Sequence, residues 1–226
     1  DALAATLVGH LRNYKKVAKS LGTSQLYVFA TEAMRLAANH EEVMKRIKRE
    51  AGVRIDDRGF VVVDEFLRTS VPGVYAVGDL VATPQLAHVA TAEGMIAVAA
   101  IAGKPYTPIN KNRIPGATYT EPGIGSVGMT EAQARAAGHD VKVGKFPFMA
   151  NGRAKSMEES EGMVKIIAHA NTDRVLGMHI VGPNAGDLIA EGVAMMEFGA
   201  TSDDIARTSH AHPTLAEVVK EAALAV

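Results

Sequence analysis

Apolar residues recur at helical spacing along the first fifty positions. Leu3, Leu7, Leu11, Tyr14 and Ala18 fall three or four residues apart, which predicts a helix from Asp1 to about Leu21, stopped by Gly22. Gln25-Leu26-Tyr27-Val28-Phe29-Ala30 is a short apolar run rich in strand formers and predicts a buried strand. Thr31 is placed to cap a second helix, Glu32–Ala51, with Met34, Val43, Met44 and Ile47 as candidate core residues and Gly52 as its close. Helix, strand, helix is an α/β unit that packs on a larger sheet.

Beyond Gly52 the pattern changes. Val53 to Asp64 alternates around Asp57-Arg58-Gly59 and predicts a hairpin-like element with its turn there. Val74 to Val77 predicts a buried strand that Gly78-Asp79 ends. Leu86 to Ala102 predicts a helix, broken by Gly103 and Pro105. From Asn112 the pattern reads as α+β. Strands are expected at Ile124–Met129, Val141–Phe146, Gly162–Ala168 and Val175–Val181, the last two joined by Asn171-Thr172-Asp173. Short helices are expected from Thr130-Glu131 to Gly138, from Asn184 or Ala185 to Phe198, and from Thr201. Ala190, Val193, Ala194, Met195 and Met196 read as core, with a subunit contact as the functional alternative. Pro213 suits a first helical turn, so a last helix is expected from about Pro213 through Leu215, Val218, Val219, Ala222 and Ala223. The fold class is an α/β fragment followed by an α+β domain, an antiparallel sheet flanked by helices. The expected divisions are residues 1–52, 53–111 and 112–226.

Composition narrows the chemistry. The chain has 226 residues, a net charge of −1, 47% hydrophobic and 22% charged residues. Nothing in that balance calls for nucleic acid, and no apolar run approaches a membrane span. Lys45, Arg46, Lys48 and Arg49 read as a solvated helix face. No signal-peptide pattern opens the chain, so a cytoplasmic location is expected, and the start at Asp1 suggests a trimmed or partial chain. There is no cysteine, which excludes a disulfide framework, a thiolate metal site and thiol catalysis by this chain's own residues. The eight histidines give no ligand spacing, so no metal site is expected.

Two places carry candidate chemistry. His212 stands just ahead of the last expected helix, with Glu217 a turn or so inside it. An imidazole there, with a carboxylate one turn away, makes a base and its orienter; a polar helix start with a solvent-facing His is the alternative. Gly78-Asp79 follows an expected strand of an α/β sheet, where ligands bind. Gly permits close approach of the backbone and Asp79 can accept hydrogen bonds from ligand hydroxyls.

His210-Ala211-His212-Pro213-Thr214-Leu215-Ala216-Glu217, with Arg207-Thr208 before it and Lys220-Glu221-Ala222 after it, resembles the C-terminal signature of the pyridine nucleotide–disulfide oxidoreductase family. Phe146-Pro147-Phe148-Met149-Ala150-Asn151-Gly152-Arg153-Ala154 points within it to the dihydrolipoyl dehydrogenases. The resemblance implies that His212 is the acid–base partner of a redox-active dithiol, held by Glu217, and that this pair serves the opposite subunit of a homodimer. His210 matches the signature but is assigned no proton-transfer role. Arg68 to Asp79 resembles the family's second flavin motif, in which Gly78 and Asp79 meet the ribityl–pyrophosphate part of FAD. Gln85, Leu86, Ala87 and His88 match the segment whose backbone approaches the isoalloxazine ring, with the helix N-terminus facing a reduced, anionic flavin. NAD is the family's acceptor, and a 2-oxo acid dehydrogenase complex its larger partner.

The family's Cys-x-x-x-x-Cys pair is missing here, as are its Gly-x-Gly-x-x-Gly after an N-terminal strand and its nicotinamide domain. The implied function is a partial dihydrolipoyl dehydrogenase that supplies the base, part of the FAD wall and the dimer interface. The alternative is a catalytically inactive chimeric or truncated dimerisation module. Leu11-Arg12, Val28 to Asn39 and Glu50 to Val53 resemble the exopolyphosphatase/guanosine pentaphosphatase family instead, which leaves a phosphohydrolase fragment as a third reading. That family's Gly-rich phosphate loops and acidic catalytic region are not found here.

Overall fold

A computed structural model describes residues 52–226, together with residues 9, 13, 16, 20, 41, 42 and 45, which are helical and exposed. The expected helices at 1–21 and 32–51, with their candidate core residues, and the expected strand at 25–30 otherwise lie outside the described residues. The chain divides into two compact units, Asp1–Ile109 and Asn110–Val226.

In the first unit the described segment is built from tight turns. Asp56 Oδ1 accepts from the N–H groups of Arg58 and Phe60, at 3.0 and 2.9 Å, and folds the chain back so that Ile55 bridges Val61 antiparallel. Asp64 Oδ1 does the same for Phe66 and Arg68, both at 2.9 Å, and Arg68 bridges Tyr75. The hairpin expected at Val53–Asp64 is therefore present as a single bridge. Val74–Val77 departs from its expected strand: only Tyr75 is bridged, although Ala76 and Val77 are buried. A strand needs a neighbour on which to lay its hydrogen bonds, and among the described residues no ladder forms there. A 3-10 turn, Gly78–Leu80, leads to α1, Ala87–Ile101, with Leu86 as its N-cap.

The second unit is a five-stranded antiparallel sheet: β1 Gly116–Thr118, β2 Gly123–Gly128, β3 Val141–Pro147, β4 Met163–His169 and β5 Val175–Gly182, in the order β1-β2-β5-β4-β3. Alternation along β4 and β5 sends Val164, Ile166, Met178 and Ile180 to one face, all fully buried. There α4, Ala185–Glu197, lies against β2 and β5, and α6, Glu217–Leu224, lies against β3 and β4. α5, Ser202–Arg207, packs on α6. On the opposite face Lys165 Nζ reaches Glu131 Oε2 of α2, Glu131–Ala136, at 2.8 Å. One more helical turn, α3, Gly152–Ser156, follows the 3-10 turn Phe148–Ala150.

Caps expected from the sequence form. Thr130 with Gln133, and Thr201 with Asp204, are reciprocal capping boxes. One expectation is corrected. Ala190 and Ala194 are exposed, and the face of α4 turned to the sheet is Ala185, Ile189, Gly192 and Met196. Gly192 belongs to that face because Met178 Sδ would lie 2.8 Å from a Cβ there. Gly123, Gly125 and Gly128 stand at Gly-x-Gly-x-x-Gly spacing, yet they lie within β2, where Gly125 lets the α4 backbone come close to the sheet.

Candidate active site

The last helix begins four residues later than the sequence suggested. The His212–Pro213 peptide is cis, Pro213 lies outside the helix, and regular turns start at Glu217. The helix start is organised by Thr214-Leu215-Ala216-Glu217, half of a capping box: the Glu217 carboxylate reaches back and Oε2 accepts the Thr214 N–H at 2.8 Å. That spacing is legible in the sequence, and it is the signal a proline-based helix start overrides. Thr214 Oγ1 donates to the Ala211 carbonyl at 2.7 Å and closes the turn that carries His212.

The other oxygen of Glu217 faces His212. Nδ1 of His212 stands 2.9 Å from Glu217 Oε1. A carboxylate only accepts, so the proton is on Nδ1 and the lone pair of a neutral ring is on Nε2. The Thr214 N–H, and after it the His212 contact, hold the Glu217 carboxyl below its ordinary value of 4.5, against a smaller opposing effect of burial. Glu217 is therefore ionised at neutral pH. The His212 side chain is 79% exposed, and its Nε2 has no hydrogen-bond partner among the described residues. The geometry is that of a tautomer-fixed imidazole presenting an acceptor nitrogen outward.

His210, two residues earlier, is placed differently. Its side chain is only 7% exposed, Nε2 lies 2.8 Å from Glu191 Oε1 of α4, and Nδ1 lies 3.0 Å from the Thr208 carbonyl. It ties the loop to the core helix. Sequence reasoning missed Glu191, which stands 19 residues from His210 and meets it only through the tertiary fold.

The flavin-type residues belong to the first unit. Gly78 turns at φ +73, a conformation that suits glycine, and a Cβ there would meet Ala90 of α1 at 3.3 Å. Glu93 of α1 is fully buried; its Oε2 accepts the Gly78 N–H at 2.7 Å. The turn holding Gly78 and Asp79 is thus seated on the helix whose first turn contains Ala87 and His88. Leu86 caps that helix without a side-chain hydrogen bond, and Gln85, Ala87 and His88 are exposed. An uncapped N-terminus and a close-approach glycine fit one end of a flavin site. Glu93 Oε1 is buried and has no hydrogen-bond partner among the described residues, which leaves a polar oxygen over beneath that turn. Glu93 was not singled out by sequence reasoning; its signal would have been a carboxylate inside an otherwise apolar helix.

Residues 114–223 match the dimerisation domain of the pyridine nucleotide-disulphide oxidoreductases, and residues 33–94 match the pyridine nucleotide-disulphide oxidoreductases. Residues 2–56 match the Ppx/GppA phosphatase family, overlapping the second of these. The chain is 49% identical over 174 residues to mitochondrial dihydrolipoyl dehydrogenase of Pisum sativum, an alignment covering 77% of this chain and 34% of that protein. It is 53% identical over 176 residues to dihydrolipoyl dehydrogenase of Cupriavidus necator, covering 77% of this chain and 37% of that protein. Among solved structures it superposes on LpdA from Mycobacterium tuberculosis with a TM-score of 0.73 and 30% identity, over 76% of this chain and 38% of that one. The chain spans about a third of the length of the curated relatives it matches. FAD and NAD are the cofactors of this family, and the FAD site represented here is incomplete. With the antiparallel sheet and flanking helices of its second unit, the chain belongs over its greater part to the pyridine nucleotide-disulphide oxidoreductase family.

Proposed function

We propose that this chain supplies the acid–base side of a dihydrolipoyl dehydrogenase: His212 as base, Glu217 as its orienter, Gly78, Asp79 and Gln85–His88 as part of the FAD wall, and the second unit as the subunit interface. The single observation that carries the reading is the exposed His212 ring held through Nδ1 by an ionised Glu217. The roles follow from that geometry. Nε2 of His212 takes the proton of a thiol, and the thiolate so formed is the nucleophile toward a disulfide. Glu217 stabilises the imidazolium produced and keeps the ring in the tautomer that can accept again. FAD, when bound, supplies the two-electron chemistry between sulfur and NAD. Leu86 to His88 would face it with a helix N-terminus, and Gly78-Asp79 would hold its polyol part.

An apolar row supports the homodimer. Ile124, Val181 and Met163 stand side by side across β2, β5 and β4, all exposed, and Pro147 continues the row on β3. Such a row is a surface for a second subunit. By analogy with its relatives, the assembled enzyme would serve a 2-oxo acid dehydrogenase complex.

The absence of cysteine favours a second reading for the chain by itself, an inactive dimerisation module. One experiment separates the two. The chain alone is expected to be a colourless dimer without dihydrolipoamide-dependent NAD reduction. Mixed with a polypeptide carrying the redox cysteines and Gly-rich turns of a relative, then reconstituted with excess FAD, it is expected to acquire flavin absorption and turnover. Both gains are read against His212→Gln, which should keep the colour and lose the turnover. A mixture that dimerises but stays colourless and inactive supports the module.

A further inference from the structure

The loop bearing His212 is gripped by a side chain from another element, 63 residues earlier than Thr214. Asn151, at the start of α3, is 5% exposed and uses both ends of its amide. Oδ1 accepts the Ala154 N–H at 2.9 Å as the helix cap, and Nδ2 donates to the Thr214 carbonyl at 3.0 Å. One end must accept and the other must donate, so the amide has a single orientation. From Thr214 the chain of contacts continues without a gap: its N–H binds Glu217 Oε2, and Glu217 Oε1 binds His212 Nδ1. On the other flank the loop is tied by His210 to Glu191. Between these two anchors Ala211, His212 and Pro213 are exposed.

We propose that Asn151 is a positioning residue for His212, acting through the Thr214 backbone and Glu217. The proposal rests on the His212–Glu217 pair being the functional one, and it adds a residue 61 positions away in sequence that decides where that pair stands. It gives the Phe146–Ala154 stretch a physical purpose, because its cap asparagine carries a second hydrogen bond that a plain helix cap does not need. A buried amide suits this work because it is uncharged, and because losing either partner would leave a polar group unpaired.

Asn151→Asp is the informative change. Aspartate caps a helix as well as asparagine and keeps the Oδ1 acceptor, but it turns an oxygen toward the Thr214 carbonyl. Asn151→Ser is the second variant: it keeps a capping oxygen and is too short to reach Thr214. Both are studied in the whole chain by NMR. The His212 ring nitrogens are assigned from their loss in His212→Gln, and the Glu217 carboxyl from its loss in Glu217→Gln. In both Asn151 variants the Glu217 titration is expected to move up toward the ordinary glutamate value of 4.5, since the Thr214 N–H that chiefly holds it down is displaced. The His212 Nδ1 signal is expected to move toward its position in Glu217→Gln, in a chain that still unfolds cooperatively at a lower midpoint than the parent. Unmoved signals in both Asn151 variants, with a moved His212 signal in Glu217→Gln, overturn the role of Asn151 alone. A His212 signal that ignores even Glu217→Gln overturns the pair itself, and this proposal with it. Unfolding of both Asn151 variants would make Asn151 a general support of the fold and would also overturn the proposal.

Discussion

Gly52–Ile109 and Asn110–Val226 use similar strand-forming residues, with opposite results. In the second unit β2, β5 and β4 each have a neighbour on both sides, and the alternating residues close over one large cluster from Val127 to Ala223. In the first, Ile55 and Val61, and Arg68 and Tyr75, meet one residue at a time, and the described apolar residues gather in two small clusters. Helix α1 forms in the first unit all the same. Its hydrogen bonds close within one stretch of chain, whereas those of a strand must be supplied from elsewhere. Helical segments carry their own bonding, and strand segments carry only half of theirs.

Cuts between Ala51 and Gly52 and between Ile109 and Asn110 carry the largest expected effect. Residues 110–226 alone are expected to unfold in one cooperative transition by circular dichroism, and residues 52–109 alone are expected to show none. A cooperative melt of the first piece would show that its strands are closed after all. Within the second unit Ile166→Ala is expected to lower stability in urea by about 2–5 kcal/mol, as for a fully buried side chain replaced by a cavity. Val61→Ala, in the first unit, should leave that transition within about 0.5 kcal/mol, because Val61 and Ile166 belong to different apolar clusters.

Gly144→Ala should lower stability by about 1–3 kcal/mol, because a Cβ at the centre of β3 would press on the backbone of α6 at Ala222. An unchanged urea midpoint would mean that α6 can stand further off.

Acid should weaken the second unit. The carboxyls of Glu131, Asp173, Asp204 and Glu217 all lie below their ordinary values of 3.8 to 4.5. Lys165 and Arg135 hold Glu131 down, and the Thr201 N–H and hydroxyl hold Asp204 down. For Asp173 burial works the other way and is outweighed by Lys142, Ser202 and the Asp203 N–H. A lowered folded value adds stability that is complete above the unfolded value and is lost as pH falls through the folded one. Stability is therefore expected to be flat above about pH 5 and to fall below about pH 4.5. A denaturation midpoint independent of pH between 5 and 3 would contradict these contacts.

The smallest expected effect is at the site itself. His212→Gln should change stability by less than about 0.5 kcal/mol, because the ring is exposed and its loss opens no cavity. A larger loss would make His212 part of the scaffold.

Much of this was readable in the chain. Thr130 and Thr201 announced their helices because a cap and its helix are three residues apart. The β4–β5 hairpin followed from two alternating runs with Asn171-Thr172-Asp173 between them, and Asp173 takes the left-handed turn there. The His212–Glu217 contact spans five residues, short enough for a local pattern to carry it. The reading failed where the deciding partner was distant. Pro213 looked like a helix start, yet the turn is set by Glu217 reaching back to Thr214 and by Asn151 gripping Thr214 from another element.

The helices and caps of the second unit, the alternating faces and the His212–Glu217 spacing are legible in the chain, since each depends on residues within a turn or two of one another. Long-range packing sets the rest: Asn151 and Glu191 hold the loop of His212, Gly125 and Gly144 are contact points rather than breaks, and Val74–Val77 gains no ladder among the described residues. Those depend on which groups meet across long separations, and a local pattern carries no record of a distant donor or acceptor.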